Sequence, residues 1–189
     1  FGAFFSSPWA FEAALSELDN RANPPEELRE NLRRWKLYEQ DIADSIVTVL
    51  DVPDDYSSRI VQTMYYLDEY AGDSKIVLFT NYQETFDTYK KMLADFYTED
   101  GFSCFRKGMS ADDLEINVCR FQNDRSCTIM LCDESGGEGR NFQCADYVVH
   151  IDLPWDANAI EQRIGRLDRM GRESMRPIIS VIPYAEESL

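Results

Sequence analysis

The sequence has few cysteines and no pattern among them. Cys104, Cys119, Cys127, Cys132 and Cys144 contain no CxxC pair, and an odd count of five argues against a disulfide framework. Three of them sit in or beside apolar runs and read as small buried hydrophobes, so a reducing cytosol is the expected compartment. No apolar run approaches the roughly 18 residues that a membrane span needs. The opening residues FGAFFSSPW lack a basic stretch and do not read as a signal peptide. They also start without Met and in mid-pattern, so a piece of a longer protein is expected. Positive charge is scarce: 19 Lys and Arg face 35 Asp and Glu, for a net charge of -16. That counts against a general electrostatic grip on nucleic acid. It leaves room for a local basic cleft, because screening confines each charge to about 10 Å. Gly-Lys-Ser and Gly-Lys-Thr are both missing, so the chain carries no phosphate loop of the GxxxxGK[ST] type.

What is present can build a core. The chain of 189 residues is 44% hydrophobic and rich in Tyr and Phe. Residues 1–74 read as helical. Ser7-Pro8 is a helix start, and Asn23-Pro24 opens a second helix with Glu26 and Glu27 in its first turn. Leu28, Leu32, Trp35, Ile42, Ile46 and Leu50 recur at mostly helical spacing, and Val52-Pro53 ends the pattern. A third helix over residues 57–71 carries Ile60, Met64 and Leu67 on one stripe. From residue 75 the pattern changes. The run IVLF at 76–79 is short and continuously apolar, as a parallel strand buried on both faces requires. Asn81 caps a helix to about residue 98, residues 102–105 form a second strand, and Ser110 opens a helix to Phe121. Further strands are expected at 127–132, 147–151 and 177–182, with a helix at about 157–170 before the last. Strand and helix alternate four times, which predicts an α/β fold with a parallel sheet covered on both faces.

Positive charge gathers in one place. Residues 1–74 hold 15 acids and 6 bases, and residues 75–189 hold 20 acids and 13 bases; five of those 13 lie between Arg163 and Arg176. The segment is EQRIGRLDRMGR, residues 161–172. On a continuous helix Gln162, Arg166 and Arg169 share one face, while Ile160, Ile164 and Leu167 face the sheet. Arginine suits phosphate because its planar fork binds two oxygens and keeps its charge. Phosphoryl transfer needs such positioned charge at the γ-phosphate. The competing reading is a solvated helix in which Glu161, Asp168 and Glu173 pair the arginines.

At this point a family resemblance becomes specific. EQRIGRLDRMGR resembles motif VI of superfamily-two helicases and translocases. CDESGGEGRNF at 132–142 resembles motif V, with DLPW at 152–155 behind it. KIVLFTNYQET at 75–85 resembles motif IV. FRKGMSADD at 105–113 and Phe121 resemble the second-strand region of the same lobe. The subgroup is Swi/Snf-type, most similar to bacterial RNA-polymerase-associated members, and SSPWA at 6–10 resembles the linker before their second lobe. The resemblance implies a RecA-like, P-loop-NTPase-type lobe at 75–189, preceded by a helical interlobe segment at 1–74. It further implies ATP bound between this lobe and a first lobe, which would supply the phosphate loop, hold Mg2+ and provide the general base. Arg166 and Arg169 would meet the γ-phosphate with Gln162 in support. Gly139, Asn141 and Arg163 would meet the nucleotide. Ser135, Gly136 and Gly137, with Thr80, Asn81, Lys107 and Gly108 at other strand ends, would face nucleic acid, expected to be double-stranded DNA. Asn81 is equally explained as a helix cap, and a Gly-rich loop alone as a tight turn.

Some positions depart from the pattern. Ile116 stands where an arginine often follows the glutamate, Arg172 replaces a common glutamine, and Glu138 and Arg140 are charged where apolar residues are frequent. IMLCDESGG also resembles a Mg2+-holding Asp-Glu box, but the glycines that follow fit motif V better. His150, the single histidine, reads as a satisfied sheet-end residue rather than a base. The rival to a motor lobe is a non-catalytic module that docks a protein such as RNA polymerase. Transcription recycling, repair, restriction and phage defence all remain open.

Overall fold

The computed structural model describes residues 6–19, 25–46, 59–71, 74–137, 139–172 and 176–183. Three helices come first: α1 (Pro8–Asp19), α2 (Glu26–Ile46) and α3 (Arg59–Ala71). Ser7 caps α1 as expected, its hydroxyl accepting from the Ala10 N–H at 3.1 Å. The helix opening at Asn23-Pro24 and the stop at Val52-Pro53 lie outside the described residues. Of the long α2 stripe, Leu32 is buried and Leu28 and Trp35 are half-buried; Ile42, Ile46 and Leu50 lie outside the described side chains.

Strands and helices then alternate: β1 (Lys75–Phe79), α4 (Gln83–Phe96), β2 (Phe102–Phe105), α5 (Ala111–Asn123), β3 (Ile129–Cys132), a 3-10 turn (Glu134–Gly137), β4 (Ala145–His150), α6 (Ala157–Ile164) and β5 (Ile179–Val181). All five strands are parallel, in the order β2-β3-β1-β4-β5. This is the expected α/β fold. β1 sits in the middle, and its residues alternate between two apolar layers. Ile76 and Leu78 pack with Ile60, Met64 and Leu67 of α3 and with Phe86, Tyr89 and Leu93 of α4. Val77 and Phe79 pack on the other face with Val118 and Phe121 of α5, Phe142 and Leu167. Burial on both sides is why the strand reads as an unbroken apolar run. α1 packs on α4 and α2, so the helical segment is joined to the sheet's own layers. No helix among the described residues is long and apolar enough to cross a membrane.

Two local expectations fail. Tyr82, not Asn81, is the residue before α4, and it makes no side-chain cap; Asn81 is engaged elsewhere. The arginine-rich helix stops at Ile164 rather than near residue 170. Beyond it the Arg166 N–H bonds to the Arg163 carbonyl at 3.2 Å and the Leu167 N–H to the Ile164 carbonyl at 2.9 Å, three residues apart each time. Gly165 gives the helix little support there, while Leu167 is drawn fully into the core. Gln162, Arg166 and Arg169 therefore do not share one regular helical face.

Candidate functional site

Parallel strands place all their C-terminal ends on one side of the sheet, the usual ligand side of open α/β sheets. Thr80 follows β1, Lys107 follows β2, Asp133 follows β3 and Asp152 comes two residues after β4. The Asp133 carboxylate holds two of these loops together: it accepts from the Lys107 N–H at 2.8 Å and from the Ser135 N–H at 2.9 Å, and also from the Ser135 hydroxyl. Both its oxygens are occupied by donors of the two loops. Among the described residues no group of three metal-ligating side chains occurs. Gly136 is fixed by space: a Cβ there would stand 2.6 Å from the Cys132 Cβ. Gly139 is fixed by conformation, at φ +73 in the left-handed region, with open space around it. The Lys107 side chain is exposed beside Gly108.

Between β1 and β4 lies a buried polar network. The Asp152 carboxylate accepts from the Thr80 hydroxyl at 2.5 Å, the Asn81 N–H at 2.9 Å and the Ser6 hydroxyl at 2.9 Å. Arg163 reaches in from α6. It donates to the Asp152 carbonyl at 3.1 Å and to Asn81 Oδ1 at 2.7 Å, contacts His150 Nδ1 at 3.3 Å, and lies over the Phe79 ring at 5.1 Å. His150 Nε2 in turn meets the Ser180 hydroxyl at 3.1 Å. Burial, reinforced by the Arg163 cation, pulls the His150 pKa down to about 4 and keeps the ring neutral. Burial pushes Asp152 up, while its three donors and Arg163 pull it back. His150 is thus the satisfied sheet-end histidine that its sequence context predicts.

A second cluster forms where the chain enters β4. The Phe142 N–H donates to the Arg166 carbonyl at 2.9 Å, and Arg166 Nη1 lies 3.5 Å from the Arg140 carbonyl. Gln143 donates to the Met170 carbonyl at 3.0 Å. Arg172 reaches the Ala145 carbonyl at 3.2 Å and Asp146 at 2.5 Å. On the far side Arg140 pairs with Glu115 at 2.5 Å, and Gln122 holds the Asn141 carbonyl at 2.8 Å. The turn at 165–172 is therefore laced to residues 140–146, which are themselves braced on α5. Arg169 projects from this turn, exposed, with only its Nε bonded, to the Gly165 carbonyl at 3.3 Å. Its two Nη groups have no protein partner among the described residues. A planar cation held at its base and open at its tip fits a phosphate oxygen.

The predicted residues thus fall into two sets. Arg166 comes beside Asn141 where the chain enters β4, through its bonds to the backbone of Arg140 and Phe142, while Arg169 projects from the same turn as Arg166 and Gly139 lies one residue before Arg140. Thr80, Asn81, Lys107, Gly108, Ser135, Gly136 and Gly137 lie at the strand ends, although the Thr80 side chain is fully buried. Gln162 is exposed on α6. Arg163, expected to meet the nucleotide with Gly139 and Asn141, groups instead with Asn81 and, through Asp152, with Thr80. Its position on α6 turns it inward, where only 3% of it is exposed. Sequence reading missed Asp152 and Ser6 as parts of the buried network behind Asn81. The available signal was an acid directly after the apolar run VVHI.

Comparison with known proteins gives the same lobe. A stretch of 85 residues, 44% of the chain, is 40% identical to the RNA polymerase-associated protein RapA of Serratia proteamaculans and 42% identical to that of Sodalis glossinidius. The stretch spans only 9% of those relatives. The fold matches the C-terminal part of the Fun30 ATPase domain, with a TM-score of 0.59 at 18% identity over 93% of this chain and 59% of that one. It also matches domain 2 of the DEAD-box helicase Mss116p bound to an RNA duplex, with a TM-score of 0.51 at 20% identity over 74% and 50%. Both solved structures share the fold of this chain. The profile described as the helicase conserved C-terminal domain matches residues 57–171, from just before α3 through the arginine-rich turn, and the chain belongs to that family.

Proposed function

We propose that this chain is the second motor lobe of an ATP-dependent nucleic-acid translocase, with double-stranded DNA as its track. The observation that carries the reading is the bonding of the 165–172 turn to residues 140–146, in which Arg166 lies against the backbone of Arg140 and Phe142, on either side of Asn141. In this reading Arg166 and Arg169 meet the γ-phosphate of ATP held by a first lobe, with Gln162 in support. Asn141 and Gly139 meet the ribose side. The two oxygens of Asp133 are spent on loop backbone, so Mg2+ is assigned to that first lobe. ATP supplies the phosphoryl group, and this lobe's arginines stabilise the charge that develops on it. The strand-end loops carry Asn81, Lys107 and Ser135 towards the nucleic-acid backbone, and cleft closure moves one lobe against the other. The relatives' name adds RNA polymerase as a proposed partner, and the proposed setting is a bacterial cytoplasm.

The test is steady-state turnover of the intact protein. Arg166→Ala is expected to lower turnover by about 10³-fold or more with little change in ATP affinity. The chain alone is expected to show no turnover. Near-normal turnover by Arg166→Ala removes the finger assignment and favours the docking-module alternative.

A further inference from the structure

Ten polar or charged residues are buried among the described side chains, and seven of them form one connected network: Ser6, Ser7, Thr80, Thr85, His150, Asp152 and Arg163. Buried polar groups are costly unless satisfied, so a concentration of this kind at one end of a sheet calls for a role. Its centre is Asp152, and what it surrounds is Asn81. The Asn81 N–H is held by Asp152 Oδ1 at 2.9 Å, and its Oδ1 is held by Arg163 Nη2 at 2.7 Å. The chemistry of Arg163 settles which way the amide points. A guanidinium only donates, so the oxygen of Asn81 must face it. The Asn81 NH2 group is then the free end, half-exposed at the strand ends and without a protein partner among the described residues.

We infer that Asp152 and Arg163 are positioning residues that lock Asn81 so that its side-chain NH2 is presented as a hydrogen-bond donor to a phosphate oxygen of bound nucleic acid. The inference rests on the strand-end reading given above. Asp152 fixes the backbone of the 80–82 turn, and Arg163 fixes the amide plane. Neither touches the ligand. Ser6 and Ser7 extend the lock to the chain entering α1. The Ser6 hydroxyl meets Thr85 at 2.6 Å as well as Asp152, and Ser7 meets Thr85 at 2.7 Å. The segment resembling the interlobe linker is thereby tied to the residue that reads the backbone. Holding a donor within a few tenths of an ångström is what such a support shell does.

The experiment uses the intact protein with a duplex DNA of mixed sequence. It measures turnover against DNA concentration, together with turnover without DNA. Asp152→Ala is expected to raise the DNA concentration for half-maximal stimulation about tenfold, with DNA-free turnover within about twofold of wild type. Asp152→Asn keeps a carbonyl for the Asn81 N–H and is expected to recover most of the loss. Ser6→Ala, a smaller lesion that tests the network if Asp152→Ala does not fold, is expected to shift the midpoint about threefold. Asn81→Asp keeps the acceptor for Arg163 and removes the donor, so it is expected to shift the midpoint as far as Asp152→Ala. An unchanged midpoint in Asp152→Ala and Ser6→Ala overturns the inference, as does an equal fall in DNA-free and DNA-stimulated turnover. A wild-type protein that DNA does not stimulate overturns the strand-end reading itself, which is a different result.

Discussion

Arg163 and Arg169 stand six residues apart in one arginine-rich segment and meet opposite surroundings. Arg163 is spent inside, on a carbonyl, an amide oxygen, a histidine nitrogen and the Phe79 ring. Arg169 is anchored at its Nε alone and otherwise faces solvent. The same side chain therefore serves as a structural rivet at one end of the motif and as a presented cation at the other. A buried guanidinium holds neighbours in place because leaving them unpaired is costly. An exposed one holds nothing in place and is available to a ligand.

The sharpest way to break this contrast is to truncate each arginine and read both stability and turnover. In the intact protein Arg169→Ala is expected to lose about 10³-fold in turnover, with the urea midpoint unchanged. Arg163→Met is expected to cost about 3–5 kcal/mol of folding stability in urea unfolding, because Asn81 and the Asp152 carbonyl lose their donor in the interior. If Arg163→Met unfolds at the wild-type midpoint, the rivet role is wrong.

The network also predicts a pH dependence. The folded His150 pKa of about 4 lies below the ordinary value near 6.5, so the fold favours the neutral ring. Its contribution is fully present above pH 6.5 and is lost as pH falls from there towards 4, by on the order of 3 kcal/mol in all. Protonation would set a second cation against Arg163 and remove the acceptor at Nδ1. The measurement is the urea midpoint from pH 7 to pH 4 for wild type and for His150→Asn. The difference between the two curves carries the signal, since carboxylates such as Asp152 titrate in both. Parallel curves would count against the buried neutral ring.

Smaller effects complete the series. Gly136→Ala sets a methyl against Cys132 and is expected to cost about 1–3 kcal/mol by thermal unfolding. Full stability in that variant would mean that the loop's glycine serves its ligand rather than its packing. Lys107→Ala is expected to leave stability unchanged and to lower the salt dependence of DNA binding by about one phosphate contact, read from binding at several salt concentrations.

Much of this molecule was legible in its sequence. The strand runs are apolar because both faces of a central parallel strand are covered, and such runs can be read without a structure. The Ser110 cap and the Ser7-Pro8 start are local chemistry and were equally visible; the Asp113 N–H donates to the Ser110 hydroxyl at 3.1 Å. The arginine spacing and the glycine loop carried the family. What the sequence could not determine depended on partners distant along the chain. Asn81 looked like a helix cap because Asn caps helices locally. It is instead held by Asp152 and Arg163, which are 71 and 82 residues away. Gln162, Arg166 and Arg169 looked like one face because helical spacing assumes that the helix continues. The pull of Leu167 into the core and the bond from Phe142 ended it early. Local propensity and pattern set the elements, because they depend on neighbours in sequence. Which arginine is buried, and which end of an amide faces outward, was decided only when strands β1 and β4 brought their ends together, because burial and hydrogen-bond satisfaction depend on neighbours in space.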